Sequence, residues 1–237
     1  MRESGHMLAT VLDATSSYAQ VGMTTKQVAD FAAAEIKKLG AIPAFLGQYG
    51  FPDVICISVN QAVVHGIPNQ YVLKDGDVLS LDFGVKHQGM ITDAARTVIV
   101  GSANKAKLKL VETTKASLDA GIAVLKDGVF VGDIASSVQA VLDEAGLGIV
   151  RDLVGHGVGH QLHEDPNIPN YGRKGTGPQL KSGMTIAIEP MATLGSYQVF
   201  TAQDDWTIET RDGSLAAHFE DTILITDTGF EILTRLP

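Results

Sequence analysis

The 237-residue sequence contains one cysteine, Cys56, so no internal disulfide can form and a reducing compartment suits the chain. No stretch is long and apolar enough to span a bilayer. The opening Met1-Arg2-Glu3-Ser4-Gly5-His6 lacks the basic-then-apolar layout of a secretory signal. There is no basic run, and a net charge of −9 argues against nucleic acid as a ligand. Linkers rich in Pro, Gly or Ser and low-complexity tracts are also missing, so the reading is one domain over residues 1–237. What is present is 45% hydrophobic residues, enough for a substantial core in a soluble, cytoplasmic protein of mixed helix and strand.

Helical spacing runs over about 3–21, through Met7, Leu8, Val11 and Leu12. A second helix starts after Gly22-Met23-Thr24, where Thr24 and Gln27 form a capping-box pattern, and Gly40 closes it. Strand-like runs follow at 53–59, 77–85 and 90–100. The pattern then restarts, with helices expected at 103–125 and 131–145. A shift of 106 residues aligns Gly22 with Gly128, Val28 with Ile134, Ala29 with Ala135 and Gly40 with Gly146. This predicts an α+β fold of duplicated helix-helix-strand halves, about 1–102 and 103–237, around a pseudo-twofold axis and a central antiparallel sheet.

Two aspartates stand in adjacent strand-like runs, with Lys86-His87-Gln88-Gly89 between them. A hairpin closed symmetrically on those four residues puts Asp82 directly opposite Asp93. Like charges there repel unless something positive lies between them. Further groups lie in the second half: His156 in Gly155-His156-Gly157, Glu189 before Pro190, and Glu220 near the last strand. Carboxylates on apolar strands are costly to bury unless paired or metal-bound. Four carboxylates balance two divalent cations, and oxygen-rich ligation with one imidazole favours Mn, Fe(II) or Co over a thiolate-type zinc site. The glycine runs at 155–159 and 172–177 fit neither a dinucleotide loop nor a phosphate loop.

Taken together, Val59-Asn60-Gln61-Ala62-Val63-Val64-His65-Gly66-Ile67-Pro68, the Asp82/Asp93 spacing, Gly155-His156-Gly157, His163-Glu164, Ile188-Glu189-Pro190 and Phe219-Glu220-Asp221 resemble the type I methionine aminopeptidases over nearly the whole chain. That resemblance implies the pita-bread fold of the creatinase and aminopeptidase group. It implies two divalent ions (Co, Mn, Fe(II), Zn or Ni), with Asp82 chelating one, Asp93 and Glu220 bridging, and His156 and Glu189 completing the ligand set of the other ion. It further implies His65, His163 and Glu189 as catalytic residues, with His65 and His163 also contacting substrate. Phe51, Cys56, Leu162 and Trp206 would form the methionine pocket. The substrates implied are N-terminal methionine peptides and nascent chains, with the ribosome as a candidate partner and the enzyme a monomer without nucleic-acid or membrane partners.

Among the other histidines, His218 lies two residues before Glu220 and is expected to hydrogen-bond a ligand carboxylate. His160 is read as a supporting or structural residue, and His6 and His87 as solvent-facing. Gln48 and Tyr49 depart from the tyrosine and histidine of some relatives. Two alternatives stay open: an Xaa-Pro aminopeptidase or dipeptidase on the same scaffold, and a non-catalytic binding protein. A type II enzyme is excluded because only 25 residues separate His163 from Glu189, too few for its helical insertion.

Overall fold

The computed structural model describes residues 1–236. Among the described residues four α-helices form two pairs: α1 (Arg2–Tyr18) with α2 (Thr25–Lys38), and α3 (Lys105–Ala123) with α4 (Val131–Glu144). The capping box at α2 is complete, because Gln27 N–H donates to Thr24 Oγ1 and Thr24 N–H donates to Gln27 Oε1. At α4 only the returning half survives, from Phe130 N–H to Asp133 Oδ2. Gly40 and Gly146 end α2 and α4 with the same positive φ of 68°, a backbone that a side chain strains.

The repeat extends beyond the helices. Gly22 N–H donates to Leu73 O and Leu73 N–H to Met23 O. In the second half Gly128 N–H donates to Leu180 O and Leu180 N–H to Val129 O. Each half has its own apolar core, one around Leu8, Val28, Leu79 and Phe83, the other around Leu110, Ile134, Leu142 and Ile186. Val28, Ala29, Ile134 and Ala135 are fully buried, as the aligned patterns require.

All strand pairing is antiparallel. In the first half, Val78–His87 pairs with Met90–Ile99 and with Cys56–Val59. In the second, a five-stranded sheet runs in the order Phe230–Ile232, Asp221–Ile225, Thr185–Ile188, Gly155–Gly157, Glu164–Ile168. The halves join where Met90–Ile99 meets residues 218–222. Ala95 and Glu220 form a backbone bridge. On either side a threonine hydroxyl continues the same register: Thr222 Oγ1 bonds Asp93 N–H and O, and Thr97 Oγ1 bonds His218 N–H and O.

The hairpin corrects the expected register. Asp93 pairs with Gly84 and Asp82 with Ala95, so the aspartates are diagonal neighbours on one face. The turn residues are Gln88 and Gly89, with φ of 49° and 83°. A two-residue turn with both φ positive matches strand twist, and glycine favours it at Gly89. That moves the pairing by two positions and leaves both carboxylates pointing the same way.

Candidate metal centre and adjoining pocket

Asp82, Asp93, His156, Glu189 and Glu220 converge on one cleft. The hairpin supplies the first two from one half of the chain. The second half supplies the rest: His156 pairs with Ala187 and Asp221 with Ile188, which brings Glu189 and Glu220 alongside His156. Asp93, His156 and Glu220 offer ligand atoms all within 4.8 Å of one another. His156 Nε2 lies 3.6 Å from Glu189 Oε1 and 4.0 Å from Asp93 Oδ2.

This donor set fits a cation. Asp82 Oδ1, Asp93 Oδ1 and Glu220 Oε1 are buried without a hydrogen-bond partner. A buried unpaired carboxylate is strongly disfavoured, and here several share one pocket. His156 Nδ1 lies 2.9 Å from Gly157 O, which places the ring proton on Nδ1 and leaves Nε2 bare toward the carboxylates. A bare imidazole nitrogen and carboxylate oxygens repel one another unless a positive ion lies between them.

The acidities reflect the same crowding. Burial pushes Asp93 up to about 7. Asp82, Glu189 and Glu220 are also raised, by burial first and then by neighbouring carboxylate charge, that of Asp93 acting on all three. Burial lowers His156 to about 4. Desolvation and the neighbouring His163 lower His65, and desolvation lowers His163.

The same cleft is lined by the other residues singled out in the sequence: His65, His163, Phe51, Cys56, Leu162 and Trp206. Phe51 and Trp206 meet edge to face at 5.2 Å between ring centroids, and His163 meets His156 edge to face at 4.5 Å. Cys56 pairs with Asp82 across the strands, and burial beside that charge raises its thiol well above the ordinary value. It therefore serves as a small apolar wall. His65 has a left-handed φ of 58°, an uncommon backbone for a histidine.

Sequence reasoning missed two contributors. Phe45 lines the cleft, and its ring lies where a Cβ on Gly84 would come within 2.8 Å of it. A glycine inside an otherwise apolar strand was the available sign. Asn170, also buried, donates from Nδ2 to Glu189 O and so fixes the backbone that carries this carboxylate. Gln48 and Tyr49 join the lining. His160 is exposed and lines neither this cleft nor the cavity beside it, away from the supporting position expected for it. His6 is exposed as expected, while His87 is partly covered and lies 3.4 Å from Glu3 Oε2.

A second, more polar cavity shares His65, His156, His163 and Glu189 with the first and continues past Gln161, Glu164, Asp165 and Asn167. No helix of the described residues is long and apolar enough to cross a membrane.

The model of metallopeptidase family M24 matches residues 1–227. The chain is 47% identical to methionine aminopeptidase 1 of Bacillus subtilis over 236 residues, covering 100% of this chain and 95% of that protein. It superimposes on the crystal structure of methionine aminopeptidase from Thermotoga maritima with a TM-score of 0.98 at 44% identity, covering 100% and 95% of the two chains. The prolidase of Pyrococcus horikoshii shares the fold, with a TM-score of 0.80 at 24% identity, and this chain spans 61% of its length.

Proposed function

The chain belongs to metallopeptidase family M24 and has its pita-bread fold, and on that footing we propose that it removes the N-terminal methionine from peptides and nascent proteins, preferring a small second residue. The observation that carries this reading is the convergence of four carboxylates and a bare imidazole nitrogen beside a pocket walled by Phe51, Cys56, Leu162 and Trp206.

Asp82, Asp93, His156, Glu189 and Glu220 would hold two divalent ions. When bound, such ions polarise a carbonyl and lower the pKa of water toward neutrality. The chain's own residues do the rest. Glu189 accepts the proton of the attacking water and returns it to the leaving amine. His163 donates a hydrogen bond to the carbonyl oxygen as it gains charge. His65 holds the substrate's peptide N–H.

The methionine side chain occupies the apolar cleft, where aromatic walls and a thiol suit a flexible thioether. Its free α-amine is drawn to the carboxylates, which restricts cleavage to the first residue. The following residues leave through the polar cavity past Gln161 and Asn167. We place this activity in the cytoplasm, on chains leaving the ribosome, in a monomer that folds as one domain across its two halves. The single buried cysteine suits that reducing compartment.

Full-length relatives at over 40% identity bear the methionine aminopeptidase name, and this disfavours the Xaa-Pro reading. Hydrolysis of Met-Ala-Ser but not of Ala-Pro by the metal-loaded protein is the expected result. Cleavage of Ala-Pro alone would overturn the methionine assignment. Less than one ion per chain in metal analysis of the loaded protein would favour a binding module.

A further inference from the structure

His218 is a buried histidine for which the proposed chemistry supplies no task. It is 1% exposed, and neither ring nitrogen has a hydrogen-bond partner. Its backbone is held firmly: Thr97 Oγ1 accepts its N–H and donates to its carbonyl, and it pairs with Met191 in the adjoining strand. The ring is closed off from water. Its Nε2 lies 3.6 Å from Glu189 Oε2 and 4.0 Å from Glu220 Oε2.

A neutral imidazole carries one N–H and one lone pair. A lone pair on Nε2 would face two carboxylate oxygens and be repelled, whereas an N–H there has two acceptors within a small movement. The His218 proton therefore belongs on Nε2. This is the reverse of His156, whose Nδ1 is engaged by Gly157 O and whose Nε2 is bare. Glu189 thus stands between two imidazoles of opposite tautomer, each 3.6 Å away, with Oε1 toward His156 and Oε2 toward His218.

We propose that His218 is a positioning residue whose Nε2–H donates to Glu189 Oε2, with Glu220 Oε2 as the alternative acceptor, and so keeps Glu189 Oε1 turned toward the cation. This rests on the reading of Glu189 and Glu220 as metal ligands. Partners of this kind, one bond removed from the ion, fix ligand orientation, and losing them typically weakens metal affinity 10- to 100-fold.

The test is calorimetric titration of Mn(II) chloride into the metal-free full-length protein and its variants. His218→Phe fills the space without a donor and is expected to bind at least about 10-fold more weakly. His218→Gln restores a donor near the Nε2 position and is expected to stay close to wild type. Should circular dichroism show that His218→Phe does not fold, His218→Leu makes the same comparison. In the wild type, nitrogen-15 shifts of the histidine ring should report the Nε2–H tautomer. The proposal is overturned if the donor-free variant binds as the wild type does, if Gln binds as weakly as Phe, or if the proton is on Nδ1. A wild-type chain that takes up no Mn(II) overturns this and the metallopeptidase reading together. Normal wild-type uptake with an indifferent His218 overturns the positioning role alone.

Discussion

Ala95 and Glu220 exchange both backbone hydrogen bonds, Glu220 N–H to Ala95 O at 3.0 Å and Ala95 N–H to Glu220 O at 3.3 Å. The bridge joins strands that belong to different halves of the chain. Arg96 reinforces it by donating to both carbonyls, to Asp221 Oδ1 and to Thr234 O. Glu220 is thereby placed opposite the strand that carries Asp93, and the candidate cation site lies on the line where the halves meet.

Thr222→Val tests that line. The hydroxyl serves both the N–H and the carbonyl of Asp93, and valine keeps the shape while leaving both buried groups without a partner. A loss of about 1–3 kcal/mol in urea unfolding is expected, with weaker metal binding. Unchanged stability and unchanged metal affinity would show that the hydroxyl does not secure Asp93.

Glu189→Gln removes the proposed proton carrier and preserves the side chain's size. A fall in kcat for Met-Ala-Ser of at least about 100-fold is expected, with an unaltered circular dichroism spectrum. A folded variant retaining near-normal kcat would place proton transfer elsewhere.

The metal-free protein should lose stability as pH rises above about 6.5. Asp93 keeps its proton in the folded chain up to about 7, whereas in the unfolded chain it loses it near 3.8. The folded state holds more protons across that interval, so raising pH favours unfolding. Asp82, Glu189 and Glu220 act in the same direction. His156 and His218, lowered to about 4 and about 3, act oppositely between those values and 6.5, and are silent above it. Thermal melts of metal-free protein at pH 6.5 and 8 should show the lower midpoint at pH 8. Added Mn(II) should raise the midpoint more at pH 8, where the ligands are deprotonated. A metal-free midpoint that climbs between those two pH values would contradict this account.

Gln88→Asn should stabilise the hairpin. Gln88 has φ of 49° ahead of Gly89 at 83°, and Asn-Gly is the preferred pair for such a turn. A rise in melting temperature of about 1–3 °C is expected, with kcat unchanged, since roughly 1 kcal/mol shifts a chain of this size by about 2–4 °C. A lower melting temperature would mean that the Gln88 side chain stabilises the turn in another way.

The helices were legible because their signals are local. Thr24, Gln27, Gly40 and Gly146 mark ends through bonds within a few residues, and the buried stripe of Val28, Ala32 and Ile36 repeats at helical spacing. The convergence of Asp82, Asp93, His156, Glu189 and Glu220 on one cleft was legible because charge on apolar strands has few uses. Hairpin register was not, since Lys86-His87-Gln88-Gly89 admits two centres and only backbone strain chooses Gln88-Gly89. Strands as short as Ile42–Pro43 and Gly148–Ile149 carry no period to detect. Phe45 and Asn170 reach the site through contacts distant in sequence. Contacts equally distant in sequence hold Asp221 behind the site, where Arg96 and Arg235 clamp it while Arg235 also reaches Asp119 on α3.

That clamp has a consequence for timing. A ribosome delivers Asp82 and Asp93 before Glu220, and the segment bearing Glu220 is held by Ala95, Arg96 and Asp93 as well as by Thr234 and Arg235. On the proposed ligand assignment, a growing chain of this protein is catalytically silent until Glu220 has been made. Its hydrolytic power switches on when residues 218–222 dock on the strand that carries Asp93, so copies not yet extended that far cannot trim other proteins prematurely.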